Sequence, residues 1–224
     1  MKKRYPGHIR PGHEPFDPLE LAASTEEIVC KDSMRKYTDF YCTGVYGGIS
    51  TGYTVGCCLR CIFCWVDLSR DFPEEYGRFH SPESAFEQLL RNAKKDQVKR
   101  MRISGGEPTL CRPHLLGLLD LIEGTSYMFI LETNGILLGA DEGYVKELTR
   151  YTNIHLRVSL KAGSPDGFQI RTGARGDFYE LPYRAVRHLM KERISFNVAA
   201  MSDSRLMPSE ERAAMLSKLK EIGV

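Results

Sequence analysis

From residue 45 onward the chain alternates β-rich and helix-rich segments five times, and this rhythm constrains the fold more than any other feature. Residues 45–55 are rich in β-formers and glycine, and residues 99–104, 127–132, 154–160 and 195–200 read as further strands. Helical patterns run between them. Ser81-Pro82-Glu83 opens one, with Ser as N-cap and Pro at the first helical position. Ala85, Phe86, Leu89, Leu90 and Ala93 then recur at helical spacing. Residues 113–123, 141–150, 179–192 and 208–222 read as helices too. Strands separated by helices of ~10–15 residues form parallel βαβ units, so the class is α/β. Periodicity alone leaves a doubly wound sheet and part of a (βα) barrel both open.

Residues 1–44 read as an N-terminal extension and residues 45–224 as the core domain. Pro6-Gly7, Pro11-Gly12, Pro15 and Pro18 break regular structure, and a short helix follows over residues 19–29. The chain has 224 residues, of which 42% are hydrophobic and 27% charged, an ordinary globular composition. A net charge of +2 makes no strong electrostatic claim on nucleic acid. The basic cluster of Lys94, Lys95, Lys99, Arg100 and Arg102 reads as the solvated end of a helix and the start of a strand. No apolar h-region follows Met1-Lys2-Lys3-Arg4, and no apolar run reaches the ~18 residues of a membrane span. Seven cysteines, an odd number, fit a reducing cytoplasm rather than a disulfide framework. Cys30, Cys42, Cys58 and Cys111 are expected as free thiols.

The chemistry concentrates in Cys57-Cys58-Leu59-Arg60-Cys61-Ile62-Phe63-Cys64. A cubane [4Fe–4S] cluster ligated wholly by protein needs four cysteines, and three thiolates leave one iron open. A zinc site is the competing reading. It needs a fourth ligand, for which Cys58, His80 and Cys111 are the candidates. The spacing, with Phe63 before the third cysteine, resembles the C-x3-C-x2-C signature of the radical S-adenosylmethionine (SAM) superfamily. The resemblance implies that Cys57, Cys61 and Cys64 hold the cluster and that SAM chelates the open iron. An electron from a donor such as ferredoxin or flavodoxin would then cleave SAM to methionine and a 5′-deoxyadenosyl radical, which abstracts hydrogen from a substrate. It also implies a partial (βα) barrel of about five to six parallel strands. The sequence offers five. A sixth would come from residues 1–44 or a partner, or the sequence is shortened.

The remaining motifs stand at the ends of expected strands, where a barrel places its site. Gly105-Gly106-Glu107-Pro108 resembles the GGEP segment that hydrogen-bonds the SAM amino group, with Glu107 steadying the turn or joining the contact. Glu132-Thr133-Asn134-Gly135 and Ser159-Leu160-Lys161 resemble stretches of the glycyl-radical activating enzymes. In that branch the positions of Glu132 and Thr133 lie near the methionine moiety and help hold a monovalent cation. Ser159 stands where an Asp is usual, and Lys161 would meet the SAM carboxylate or the substrate. Asn197 is expected at the ribose, and Phe63 and Trp65 beside the cluster or adenine. The expected substrate is a polypeptide. Alternatives are a small metabolite or nucleobase, as for 7-carboxy-7-deazaguanine synthase-like enzymes, or a non-catalytic zinc or iron–sulfur scaffold.

Overall fold

The computed structural model describes residues 14–224, so the breaks expected at Pro6-Gly7 and Pro11-Gly12 lie outside the described residues. Asp17 starts helix α1 (Pro18–Val29) by accepting hydrogen bonds from the amides of Leu19 and Glu20. Strands β1 (Cys30–Lys31), β2 (Met34–Thr43) and β3 (Ile49–Thr54) follow. Next come α2 (Asp67–Asp71), β4 (Arg78–His80), α3 (Pro82–Lys95), β5 (Arg100–Gly105), α4 (Arg112–Ile122) and β6 (Met128–Thr133). The chain continues through α5 (Ile136–Ala140), α6 (Glu142–Leu148), β7 (Ile154–Leu160), α7 (Pro165–Thr172), α8 (Glu180–Lys191), β8 (Phe196–Ala200) and α9 (Ser209–Ile222).

One sheet runs in the order β1-β2-β3-β5-β6-β7-β8, with β4 paired to β2. The strands β3, β5, β6, β7 and β8 are mutually parallel and curl into a half-barrel. Successive strand residues point to opposite faces. Met101, Ile103, Phe129, Leu131, Leu156 and Val158 are buried in the core that includes the helices. The alternate residues Arg102, Ser104, Glu132, Arg157 and Ser159 line recesses on the opposite face.

Several details depart from the periodicity. Strand β3 is shorter than residues 45–55 because Tyr46, Gly47 and Gly48 all take positive φ, turning the chain before it. The helix expected over 141–150 ends earlier and follows a separate short helix, α5. Asp141 divides them, and its carboxylate caps α6 at the Gly143 amide. Strand β2 was not expected. It pairs antiparallel with β3 and buries Arg35 and Lys36. Arg102 is likewise buried rather than part of a solvated cluster.

Cys30 and Cys111, expected as free thiols, form a disulfide with their Cα atoms 5.7 Å apart. Their separation of 81 residues hides the pairing in sequence, and the fold brings β1 beside the N-cap of α4. Cys42 and Cys58 are free. Among the described residues no helix is long and apolar enough to cross a membrane.

Candidate functional site

The C-terminal ends of β3, β5, β6 and β7 open into one cleft of about 210 Å³. Cys57, Cys61, Cys64, Phe63, Gly105, Gly106, Glu107, Glu132, Thr133, Ser159 and Lys161 all line it. Four motifs separated by about a hundred residues of chain therefore meet at one place, as the parallel topology requires.

The cysteine loop rests on α1 and α2. A side chain at Gly56 would meet Thr25 Cγ2 at 2.6 Å, so α1 touches the loop at its entry. Beneath it lie the buried side chains of Arg60, Arg70 and Asp71. Arg60 donates to the carbonyls of Cys57 and Leu59, and Arg70 donates to that of Cys61 at 2.7 Å. Both guanidinium groups contact Asp71 Oδ1, at 3.1 and 2.8 Å. Buried guanidinium groups close beneath three thiols favour anionic sulfur. Without metal, burial still pushes the Cys61 thiol up to about 12 and raises Cys64. The hydrogen bond with Cys58 draws Cys57 below the ordinary thiol value.

The Gly105-Gly106-Glu107 turn is stitched to the end of β3. Gly106 N donates to Thr54 O and Glu107 N to Gly56 O, both at 2.8 Å. A Cβ at Gly106 would lie 2.0 Å from Gly56 O, so glycine is required by the close approach. With its amides engaged, the turn presents carbonyl oxygen, the acceptor an ammonium group needs. The Glu107 carboxylate is turned inward. Oε1 accepts from Thr109 N, Thr109 Oγ1 and Thr133 Oγ1, and Oε2 accepts from Asn134 N. Glu107 thus clamps its own turn to the β6–α5 loop.

Glu132 is equally occupied. Its carboxylate accepts from the Tyr46 hydroxyl (2.7 Å), Arg102 (3.0 Å) and Ser104 (2.8 Å), with Arg157 at 3.8 Å. Burial pushes its carboxyl up, but Tyr46 and Arg102 outweigh this and hold it below the usual range. Thr133 Oγ1 is used by Glu107 and by the Gly135 amide. A cation at Glu132 and Thr133 would have to displace these partners, and Ser159 adds no charge. Lys161 places its ammonium 5.8 Å from the Phe63 ring centroid, at the edge of the cleft.

Asn197 is not brought into the cleft. It is exposed, and its Oδ1 accepts from His155 Nε2 (2.9 Å) near the starts of β7 and β8, away from the strand ends that form the site. Arg157, Ser104 and Asn134 line the cleft without having been singled out in sequence. Arg157 was legible in principle, because it lies two residues before Ser159 on a strand and so shares its face.

The donor set fits an iron–sulfur cluster better than zinc. Cys58 is fully buried and does not line the cleft, Cys111 is in the disulfide, and His80 is bonded to Ser84. Cys58 hydrogen-bonds Cys57 from behind the cleft wall, and none of the three candidates lines the cleft that Cys57, Cys61 and Cys64 share. Among the described residues no three His, Cys, Asp or Glu side chains converge as a single-ion site. A cluster takes each thiolate on a different iron and needs no such convergence.

The radical SAM superfamily model matches residues 52–204, which include every motif lining the cleft. The chain belongs to the radical SAM superfamily. It is a radical SAM enzyme, and its cofactors are a [4Fe–4S] cluster and SAM. Radical SAM enzymes need an electron donor. Solved radical SAM structures share the fold. SuiB of Streptococcus suis, bound to its precursor peptide SuiA, is 21% identical with a TM-score of 0.60, covering 79% of this chain and 37% of its own. Archaeal TYW1 is 16% identical with a TM-score of 0.52, covering 79% of this chain and 62% of its own. QueE from Escherichia coli is 17% identical with a TM-score of 0.51, covering 92% of this chain and 79% of its own. This radical SAM chain thus spans little more than a third of the length of SuiB. No curated protein sequence matches it.

Proposed function

We propose that this enzyme cleaves SAM reductively and abstracts hydrogen from a polypeptide that lies across the open mouth of the cleft, as an activating-enzyme-like protein would. The cluster supplies the electron that cleaves SAM. Cys57, Cys61 and Cys64 hold it, and the carbonyls of Gly105 and Gly106 receive the SAM ammonium. Lys161 binds the SAM carboxylate, while Phe63 screens the reacting groups from water. Glu107 and Thr133 keep the two binding loops in register. Residues 45–224 form the catalytic core, and α1 braces its cysteine loop from the N-terminal extension. The donor is a ferredoxin or flavodoxin, and the setting is the cytoplasm.

The observation that carries the polypeptide reading is the rim. Trp65 is 66% exposed at the cleft, and Tyr46, in the adjoining recess, and Tyr41 are exposed with it. Trp65 stands edge-on to Tyr53, which stacks on Tyr41 at 4.5 Å. Apolar groups gathered at one opening mark a contact surface. SuiB, a protein of similar fold, binds a precursor peptide. A small polar metabolite or nucleobase is the second reading. It is favoured by the recess beside the cleft, where Arg102, Arg157 and Glu132 could fix a polar ligand.

Size-fractionated cell extract tests the choice. Anaerobic enzyme with dithionite and SAM is given each fraction, and 5′-deoxyadenosine is measured. Stimulation by the macromolecular fraction, abolished by prior proteolysis, supports a polypeptide substrate. Stimulation by the low-mass fraction alone contradicts it.

A further inference from the structure

We propose that Asn134 is a positioning residue that raises the reduction potential of the cluster through hydrogen bonding at its Cys57 corner. This rests on assigning the cluster to Cys57, Cys61 and Cys64. Asn134 is buried in the loop after β6. Two bonds fix it there. Its backbone amide donates to Glu107 Oε2 at 2.8 Å, and its Oδ1 accepts from Ile136 N at 2.9 Å. The side chain can then point Nδ2 only toward the cysteines, 3.2 Å from Cys58 Sγ and 3.7 Å from Cys57 Sγ. An amide nitrogen carries two hydrogens, so both contacts are made together. Leu59 N adds a donor 3.4 Å from Cys57 Sγ.

The residue type points the same way. Oδ1 bonding to the amide two residues on is a turn device that Asp performs equally well. What Asn adds over Asp is the Nδ2 group, and that group faces sulfur. Donors to a ligand sulfur stabilise the more negative, reduced cluster and raise its potential. Burial strengthens the effect, because little water competes for the bond.

Two variants and one label test this. Asn134→Asp keeps the bond to Ile136 N and removes both donors. Asn134→Leu removes donors and acceptor. Each is reconstituted anaerobically, iron and sulfide are counted, and the midpoint is read by EPR-monitored titration without substrate. The midpoint should move to more negative potential in both. At the potential that half-reduces the wild type, the reduced-to-oxidised ratio should fall about tenfold, equivalent to about 59 mV for one electron. In wild-type protein carrying 15N-asparagine, pulsed EPR of the reduced cluster should show a nitrogen coupling. That measurement stands even where a variant takes up no iron. A midpoint unchanged in Asn134→Asp, or no coupling in the labelled wild type, would overturn the proposal. A wild type without any [4Fe–4S] signal would overturn the cluster assignment and this inference with it.

Discussion

The Thr133 hydroxyl donates to Glu107 Oε1 at 2.7 Å, joining the loop after β5 to the loop after β6. Thr109 and Asn134 complete the set of donors on the same carboxylate. Glu107→Ala leaves buried amides and hydroxyls without an acceptor and opens a cavity. Hydrogen bonds to a charged group each contribute about 1.5–3 kcal/mol, so the variant should lose about 3 kcal/mol or more in urea unfolding. Glu107→Gln, which keeps the shape, should lose less. Equal stability of Glu107→Ala and wild type would show that the clamp contributes nothing.

The strand–helix rhythm and the motif positions were legible because both are local. Five parallel strands, the cysteine loop and the loops after β5, β6 and β7 follow from patterns within a few residues of each other. What escaped depends on contacts remote in sequence. Strand β2 carries Arg35 and Lys36 inward, and no hydropathy pattern marks a buried cation. Arg102 is polar in sequence but neutralised by Glu132 from the next strand. Asn197 looked like a ligand contact because Asn in a strand needs a partner, and that partner is His155. Asn134 stands in sequence as one member of the Glu132-Thr133-Asn134-Gly135 stretch, and its first role is to accept from Ile136 N within the turn. Its second role depends on where the fold places Cys57 and Cys58.

Asp71 pairs with both arginines under the cysteine loop. Asp71→Asn keeps the size of the side chain and removes the charge that faces both Arg60 and Arg70. Stranding buried cations in this way costs about 3–5 kcal/mol. Unfolding of the metal-free variant should show that loss, and iron retained per chain should fall, since the guanidinium groups also hold the Cys57 and Cys61 carbonyls. Undiminished stability would mean that the ion pair is not needed.

His114 gives the fold a pH dependence. Burial holds its imidazole down to about 4, opposed by its bond to Ser33 O and reinforced by Arg35. Ser33 O can only accept, so Nδ1 carries the proton and Nε2 accepts from the Tyr37 hydroxyl at 2.8 Å. The unfolded chain takes up a proton near the ordinary value of about 6.5, while the folded chain resists until about 4. Stability is therefore full above about 6.5 and falls as pH drops toward 4. The loss between about pH 7 and about pH 5 should be about 2 kcal/mol. Denaturant unfolding at the two pH values reads it, and His114→Gln should remove this part of the pH dependence. An unchanged dependence in that variant would assign it elsewhere.

Lys161 brings a positive charge to the cleft. Lys161→Met keeps much of the stem and removes the charge. SAM affinity of the reconstituted enzyme should fall about tenfold, equivalent to about 1.4 kcal/mol, by calorimetry. Affinity equal to wild type would remove Lys161 from the SAM carboxylate.

Anaerobic SAM cleavage tests the central claim most directly. Enzyme carrying its cluster is reduced with dithionite, and 5′-deoxyadenosine and methionine are followed by mass spectrometry with Cys61→Ala alongside. The account predicts both products in equal amounts from the wild type and neither from the variant. Product formed equally by Cys61→Ala, or no SAM binding by cluster-loaded wild type, would contradict it.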